Sequence, residues 1–435
     1  MTAEFEAIVT PVPGPRSRAL ADDLRARENR GITFLADDFP IFWESAAGAL
    51  VWDVDGNRYI DATAAFGVAT TGHANPAVAR AIAEQAARLP HGMGDVHPSA
   101  TKAALLDKLG AIAPMPDAKT FLCSGGAESV EFALKTAMLA TGEPNVLAFA
   151  GGYHGLSYGT LEVGGIAKFR EPWRKQLRES TSFVRFPDPR DPKSLDRALE
   201  AIKKTLRSDR SIGAVIVEPI QGRAGVIVPP DGFLRGLRAL CTQYDALLIL
   251  DEIYTAFGRT GFAFECQRED VVPDIICVGK ALAGGFPLSA TIARAEIADA
   301  WAASAGEALH TSTYLGNPMG CAAALANLAE MERLDIAGVS RGREPHFAAA
   351  LGTIARENAG VAHVRGRGML WALEFHEPAQ ANATVVRALQ AGLLLLQSGT
   401  RGESITVAPP PVISDDQLAR AFALLGAAVA DRVIA

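Results

Sequence analysis

Short, almost continuously apolar runs alternate with helical patterns from about residue 75 onward, and this alternation constrains the fold more than any other feature of the chain. A strand that faces water on one side alternates apolar and polar residues, whereas a strand covered on both faces is apolar throughout. Such strands form a mostly parallel sheet with helices on both sides. The sequence therefore predicts an α/β fold. The predicted strands lie at residues 118–123, 145–150, 213–218, 246–250 and 274–278.

The length of the chain predicts more than one domain, because a single hydrophobic core stops growing at about 250 to 300 residues and this chain has 435. Residues 1 to about 30 are expected to form an irregular arm, and the turn signal Asp55-Gly56-Asn57 predicts a hairpin. We assign residues 1–75 to an N-terminal arm and part of a small domain. Residues 76–328 form the predicted large domain, and residues 329–435 complete the small domain.

Composition excludes several classes of function. The chain has 42 Lys and Arg against 49 Asp and Glu, a net charge of −7 at pH 7, so no overall positive field exists to bind nucleic acid. No apolar run of about 18 residues predicts a membrane span. The five cysteines form no CxxC pair, as is typical of buried thiols in a reducing cytoplasm, and none of the eight histidines has metal-ligand spacing. We therefore expect a cytoplasmic protein without nucleic acid, membrane or metal.

Glycine-rich segments follow two of the predicted strands, at the edge where open α/β sheets bind ligands. Ser124-Gly125-Gly126-Ala127 opens a helix whose backbone N–H groups and dipole suit a phosphate, although a tight turn would also need these glycines. Gly151-Gly152-Tyr153-His154 brings an aromatic ring and an imidazole to the end of the next strand. A flat ligand is expected to stack there.

Charged residues follow the other three strands. Glu218 and Asp251 come directly after apolar runs, where a carboxylate is costly unless a cation or donor meets it, and a helix cap or internal salt bridge would also account for them. Lys280 lies among glycines, where burial would lower the pKa of its amine, unless it is a surface residue. An anion site, an aromatic ring, a carboxylate and a lysine at one edge are what pyridoxal phosphate (PLP) requires.

Four ordered motifs resemble the signature set of class III aminotransferases, within a similarity that runs from about Gly48 to the C-terminal helix. The resemblance implies a fold-type I architecture. Its large PLP-binding domain would have a mostly parallel seven-stranded sheet between helices, and its smaller α+β domain would be built from N- and C-terminal segments. It also implies a homodimer with active sites at the interface. The motifs are Glu218 to Gly222 (EPIQG), Leu250 to Gly261 (LDEIYTAFGRTG), Gly279 to Pro287 (GKALAGGFP) and Thr313 to Pro318 (TYLGNP).

The resemblance also implies roles for individual residues. Lys280 matches the lysine that forms a Schiff base with the cofactor, and Asp251 matches the carboxylate at its pyridine nitrogen. Tyr153 matches the aromatic residue above the cofactor ring and Ile253 the aliphatic residue beneath it. The other expected cofactor-binding residues are Gly125, Gly126 and Ala127 at the phosphate, His154 next to Tyr153, Glu218 in the hydrogen bonds beneath the cofactor, and Thr313 from the neighbouring subunit.

Departures from the family pattern concern the substrate. Members that take ornithine or 4-aminobutyrate typically have Glu after the Gln-Gly pair, where this chain has Arg223. The C-terminal arginine that binds a keto acid's α-carboxylate would align near Thr406, which disfavours a 2-oxoglutarate site with two carboxylate anchors. Either Arg223 or Arg401 supplies the missing cation, or the pocket favours less polar amines lined by Trp43 and Phe66. We expect Trp43, Phe66 and Arg223 at the substrate.

The predicted function is that of a PLP-dependent transaminase of the omega-transaminase type. It would move an amino group from an amine or amino acid to a keto acid, aldehyde or ketone by a ping-pong mechanism. An amino-acid racemase or intramolecular aminomutase on the same scaffold would share Lys280 and Asp251. A serine hydrolase is a more distant alternative, because the run Gly155 to Gly159 (GLSYG) matches GxSxG, but that motif needs its serine directly between strand and helix.

Overall fold

The structure is a computed structural model, and it describes residues 5–431 of the chain. The chain divides into two compact units. The smaller unit consists of Met1–Asn75 with Gly342–Ala435, and the larger unit is Pro76–Arg341. The domain boundaries predicted after residues 75 and 328 stay predictions, and the second division between the units lies further along the chain, inside the helix Ile336–Glu357.

The larger unit contains a seven-stranded sheet that is mostly parallel, which confirms the predicted α/β fold class. One strand, Ser289–Arg294, runs antiparallel to both of its neighbours, and the pairs at the other side of the sheet are all parallel. In order across the sheet, the strands are Ala118–Cys123, Ser289–Arg294, Ile275–Val278, Leu247–Asp251, Ile212–Val217, Asn145–Ala150 and Thr181–Arg185.

Five of the seven strands coincide with the apolar runs of the sequence to within one residue. The other two strands, Thr181–Arg185 and Ser289–Arg294, were not predicted from apolar runs. Thr181–Arg185 lies at the edge of the sheet and is mostly half-buried, so its sequence is mixed. Ser289–Arg294 is buried but carries Ser289 and Thr291, and the Thr291 hydroxyl donates to the Ser129 carbonyl at 2.7 Å.

The helix Gly126–Thr141 packs against the centre of this sheet. Its buried residues Val130, Ala133 and Ala137 share one face and belong to a core cluster with Ile216 and Ile249 of the strands. The other helices of the larger unit are Pro76–Arg88, Ala100–Ile112, Tyr158–Val163, Ala167–Arg170, Ser194–Ser208, Phe233–Gln243, Ala295–Ala298 and Pro318–Arg333, with 3-10 helices at Glu171–Gln176, Glu265–Glu269 and Lys280–Ala283.

The smaller unit is α+β and contains two four-stranded sheets. The predicted hairpin is confirmed as an antiparallel pair in the first sheet, which consists of Trp43–Ala47, Leu50–Asp53, Arg58–Asp61 and Leu393–Leu394. The second sheet is antiparallel and consists of Val361–Arg367, Leu370–Phe375, Ser404–Val407 and Leu396–Ser398. The helices that belong wholly to this unit are Pro15–Arg27, Ala64–Gly67, Pro378–Gln390 and Asp415–Ala430.

The prediction of an irregular N-terminal arm was wrong, because the arm contains the helix Pro15–Arg27. The Asp55 carboxylate, in the turn of the hairpin, accepts hydrogen bonds from the backbone N–H groups of Arg16 at 2.7 Å and Ser17 at 2.9 Å. These are first-turn N–H groups that have no partner within a helix. The cap comes from a residue about 40 positions away, so no local pattern in the sequence indicated it.

The short helical segment Ala64–Gly67 contains a left-handed turn, with φ of +47° at Ala65 and +63° at Phe66. The buried Asp61 carboxylate holds its start, accepting from Thr63 N at 2.7 Å and lying 2.7 Å from His73 Nε2. Left-handed backbone costs roughly 1 to 2 kcal/mol for a residue with a Cβ. The Asp61 contacts therefore stabilise a conformation that the local sequence disfavours.

Candidate active site

Four chain segments that carry reactive side chains leave the large sheet at one edge. The strands before them are parallel and adjacent in the sheet, so their carboxyl ends lie together. Sequence reasoning placed a ligand site at this edge. The side chains at the ends of these strands, or shortly after them, are His154, Glu218, Asp251 and Lys280.

Asp251 and His154 form a buried pair. His154 Nδ1 lies 2.8 Å from Asp251 Oδ2, and the other carboxylate oxygen, Oδ1, accepts from Ile253 N at 3.1 Å. Burial by itself lowers the pKa of His154, but its hydrogen bond to Asp251 and the charges of Asp251 and Glu218 outweigh burial, so the pKa is raised. The pair therefore favours an imidazolium beside a carboxylate.

Glu218 connects two of the segments at this edge. Its Oε1 accepts from Tyr153 N at 2.8 Å, and its Oε2 accepts from Gly222 N at 3.1 Å. Burial raises the pKa of Glu218 to about 7, with the Asp251 charge acting in the same direction and His154 and the two backbone donors acting against it. The carboxyl group thus fixes the backbone that carries Tyr153.

Lys280 is half-buried at the start of a 3-10 helix, with a left-handed φ of +40°. Burial lowers the pKa of its amine, and the carboxylates of Asp251 and Glu218 oppose that effect only in part. Its Nζ lies 3.9 Å from the centre of the Tyr254 ring. A lowered pKa increases the fraction of neutral amine, which is the form that attacks a carbonyl.

The glycines at 125 and 126 leave a helix start open beside these residues. Gly125 is the N-cap of the helix Gly126–Thr141 and offers no side-chain cap. A Cβ at Gly126 would lie 2.8 Å from Ile253 Cδ1, and a Cβ at Gly279 would lie 3.6 Å from Ile253 Cγ2. The Ile253 side chain therefore lies between the open helix start and the residue before Lys280. Ala127 borders Gly155, where a Cβ would lie 2.7 Å from the Ala127 Cβ.

Arg223 lies next to Tyr153 through a third residue, Phe169. The ring centres of Tyr153 and Phe169 are 5.6 Å apart, and the Arg223 guanidinium carbon lies 5.9 Å from the centre of the Phe169 ring. Planar guanidinium groups pack well on aromatic faces. The cation expected from the sequence therefore lies close to the aromatic residue of the site, and Phe169 was missed because no motif contains it.

Three other predicted residues lie outside this group. Trp43 and Phe66 belong to the smaller unit, where their side chains are 44% and 64% exposed. Thr313 is exposed in the single chain. Their predicted contacts with substrate and cofactor stay predictions.

Tyr254 is a second residue near this edge that the sequence did not single out. It stands inside the quoted motif, three residues after Asp251, but no spacing rule indicates which residue its ring faces. Its ring edge also packs on Gly222, where a Cβ would lie 2.5 Å from Tyr254 Cδ1. The only signal that pointed to it was the polar end of its strand, where Asp251 and Glu252 follow the apolar run.

The GxSxG segment does not have the geometry of a nucleophile elbow. Ser157 is the N-cap residue of the helix Tyr158–Val163 and lies seven residues beyond the end of the strand Asn145–Ala150. Its hydroxyl donates to Glu131 Oε1 at 2.7 Å. The serine hydroxyl thus donates to a carboxylate and not to a histidine, which, with its position away from the strand end, disfavours the hydrolase alternative.

The described residues offer neither a membrane span nor a metal site. Between residues 5 and 431, no helix is long and apolar enough to cross a membrane. Over the same residues, no group of three or more His, Cys, Asp and Glu side chains is arranged to hold a metal ion.

Comparisons with known proteins point to one family. The family model described as Aminotransferase class-III matches residues 35–429. The acetylornithine aminotransferase of Methanopyrus kandleri is 38% identical over 393 residues, which cover 90% of this chain and 95% of the relative. The 4-aminobutyrate aminotransferase of Mycobacterium leprae is 33% identical over 448 residues and 98% of both chains. The PLP-bound structure of an amine transaminase from an uncultivated Pseudomonas species has a TM-score of 0.87 at 29% identity, over 94% of this chain and 99% of that one.

Proposed function

The chain belongs to the class III aminotransferases, and on that premise we propose that the residues at the carboxyl edge of its large sheet carry out the reaction. The protein is a PLP-dependent transaminase that moves an amino group from a donor to a carbonyl acceptor. The relatives give the racemase and aminomutase alternative no support. The observation that carries the site proposal is the grouping of Lys280, the Asp251–His154 pair and an open helix start at one edge.

The residues of this edge fit PLP. An uncapped helix start suits its phosphate, a buried carboxylate suits its pyridine nitrogen, and the aliphatic Ile253 lies between the helix start and Gly279, the residue before Lys280. When bound, the cofactor supplies an aldehyde that takes up the amino group and a ring that withdraws electrons from the substrate carbon. Gly125, Gly126 and Ala127 would hold the phosphate, and Tyr153 would cover the ring.

Lys280 has two tasks in this proposal. Its Nζ would hold the cofactor at rest, and as a free amine it would move the proton at the substrate carbon. Both tasks start from the neutral form, which the lowered pKa favours, and the amine carries the proton only between its removal and its delivery. The two half-reactions alternate in ping-pong order, because the donor's product leaves before the acceptor binds.

Asp251 and His154 would act together at the pyridine nitrogen of the cofactor. The Asp251 carboxylate would keep that nitrogen protonated, and this charge is what allows the ring to withdraw electrons. His154, at 2.8 Å, keeps that carboxylate charged and oriented. Glu218 keeps the Tyr153 segment in place through the two backbone bonds described above.

Borohydride reduction of the active protein is expected to fix the cofactor to Lys280 alone. The reduction converts the linkage at Nζ to a stable amine, and peptide mapping by mass spectrometry locates it. Lys119, a surface lysine paired with Asp299 in the same unit, serves as the internal control and should stay unmodified. Label at another lysine, or none in active material, would contradict the proposed site.

We propose further that Arg223 binds a carboxylate on the substrate. Two of the relatives are named for acetylornithine and 4-aminobutyrate, both of which carry a carboxylate. The position of Arg223 beside Phe169 and Tyr153 supports a cation at the edge of the site. The alternative is an omega-transaminase that prefers less polar amines, which lack a carboxylate, with Trp43 and Phe66 as lining residues.

Arg223→Met is expected to raise KM for 4-aminobutyrate about 10- to 100-fold, because a hydrogen bond between charged groups contributes roughly 1.5 to 3 kcal/mol. KM for butylamine, which lacks the carboxylate, should not change. Steady-state kinetics with both donors measures the difference. Arg210→Met is the matched control, since Arg210 also lies over an aromatic ring, that of Tyr244. Equal effects on both donors would count against a carboxylate contact.

A homodimer with sites at the interface is also our proposal. Thr313, the predicted phosphate ligand of the neighbouring subunit, is exposed, and the nearby Leu309 and Tyr314 are exposed apolar side chains that an interface would cover. Light scattering of the purified protein measures the oligomer directly.

A cytoplasmic location is a separate proposal, and it is supported by the five cysteines, which are all free and buried.

A further inference from the structure

The ring of Tyr254 faces the amine of Lys280 because of the register of two strands. Leu247–Asp251 and Ile275–Val278 are neighbours and run parallel, with Asp251 opposite Cys277. Tyr254 follows the first strand by three residues and Lys280 follows the second by two. The 3.9 Å from Nζ to the ring centre is well within the range of a cation–π contact.

The ring cannot move away easily, because the segment that carries it is held on both sides. Directly before Ile253, the buried Glu252 carboxylate accepts from Thr255 Oγ1 at 2.8 Å and from Glu265 N at 2.7 Å, while its other oxygen accepts from Cys266 N at 2.9 Å. The ring edge packs against the backbone of Gly222. Tyr254 therefore presents a preorganised aromatic face.

The charged groups around Lys280 indicate what the Tyr254 ring contributes to the site. The charged groups that face Lys280 are Asp251, which is paired with His154, and Glu218. Asp251 and Glu218 hold their own donors, Ile253 N for the first and the Tyr153 and Gly222 N–H groups for the second. An aromatic face attracts a cation without accepting its proton. It can therefore hold the amine while leaving that proton available for transfer.

We propose that Tyr254 is a positioning residue for Lys280, whose ring face holds the lysine nitrogen and favours its protonated form. This inference rests on the proposed role of Lys280. The ring would have two effects on the lysine nitrogen. It would keep the nitrogen in one place between proton transfers, and it would offset part of the free energy that the buried cation loses with its water.

The test uses the holoenzyme and measures the midpoint pH at which the visible absorbance of the bound cofactor changes as the lysine nitrogen loses its proton. Four variants are compared with the wild type. Tyr254→Phe keeps the ring, the same Phe with a trifluorinated ring keeps the shape but loses the negative face, and Tyr254→Leu removes the ring. Tyr244→Leu is the matched control, because it removes a ring that lies over a different cation, Arg210.

We expect Tyr254→Phe and Tyr244→Leu to keep the wild-type midpoint. Tyr254→Leu and the fluorinated ring should move it to lower pH by about 0.5 to 1 unit, because a partly buried cation–π contact favours the cation by about that much. The pH profile of kcat/KM should move in the same direction. The fluorinated variant keeps the test valid even if Tyr254→Leu folds poorly.

A wild-type midpoint in the fluorinated variant would overturn the inference, and so would a shift in Tyr254→Phe as large as that with fluorine, since the hydroxyl would then be responsible. Either result leaves the transaminase proposal intact as long as borohydride labels Lys280. If borohydride labels a different lysine, the proposed site fails whatever the midpoints are, so the two failures are distinguishable.

Discussion

Lys280→Ala is expected to lower kcat by on the order of 10⁴-fold or more, because it removes both the group that attaches the cofactor and the group that moves the proton. The variant should also lose the visible absorbance that reports the linkage at Nζ. Stopped-flow kinetics of single half-reactions and absorbance spectra of the purified protein measure both effects. The protein should still fold, since the mutation removes a half-buried amine whose burial is unfavourable.

Two controls separate chemistry from structure in this experiment. Lys119→Ala removes an exposed lysine of the same unit and should leave kcat unchanged. Lys280→Arg keeps a positive charge next to Tyr254 but presents a guanidinium that stays protonated, so it should be as inactive as alanine. Turnover by Lys280→Ala within tenfold of wild type would mean that another amine carries the reaction.

Asp251→Asn is expected to lower kcat by roughly 10²- to 10³-fold, the usual effect of removing one preorganised charge from an active site. The amide keeps the size of the carboxylate and can still accept from Ile253 N, but it cannot hold the proton on the pyridine nitrogen. The raised pKa of His154 should fall at the same time, since burial remains while the opposing charge of Asp251 is gone. Kinetics and an NMR titration of the His154 ring measure the two effects.

Asp274→Asn is the matched control for this substitution. Asp274 is also a buried carboxylate of the larger unit, and it accepts from Arg238 at 2.6 Å and from Leu248 N at 2.7 Å. Its loss should lower the free energy of unfolding by roughly 1.5 to 3 kcal/mol, because the half-buried Arg238 loses a charged hydrogen-bond partner, while kcat of the folded fraction is kept. If Asp251→Asn changed stability in the same way but left kcat unchanged, the carboxylate would be structural.

The pattern of apolar runs was sufficient to predict the central strands and the edge at which the site lies. Burial on both faces leaves a local mark, since every residue of Ile212–Val217 or Ile275–Val278 must be apolar or small. The motifs around Asp251 and Lys280 are equally local, because a carboxylate or an amine directly after a buried strand is costly unless it has a use. Five strands of the large sheet, the fold class and the edge at which the candidate residues lie were therefore predictable from the sequence.

What the sequence left undetermined depends on contacts between distant residues. The cap that Asp55 gives to the helix Pro15–Arg27, the pairing of His154 with Asp251 and the packing of Tyr254 on Lys280 all join positions separated by 26 residues or more. The edge strand Thr181–Arg185 likewise could be assigned only from its parallel pairing with Asn145–Ala150. Local composition records how deeply a residue is buried, but strand order and register decide which residue it meets, and these follow from packing the whole chain at once.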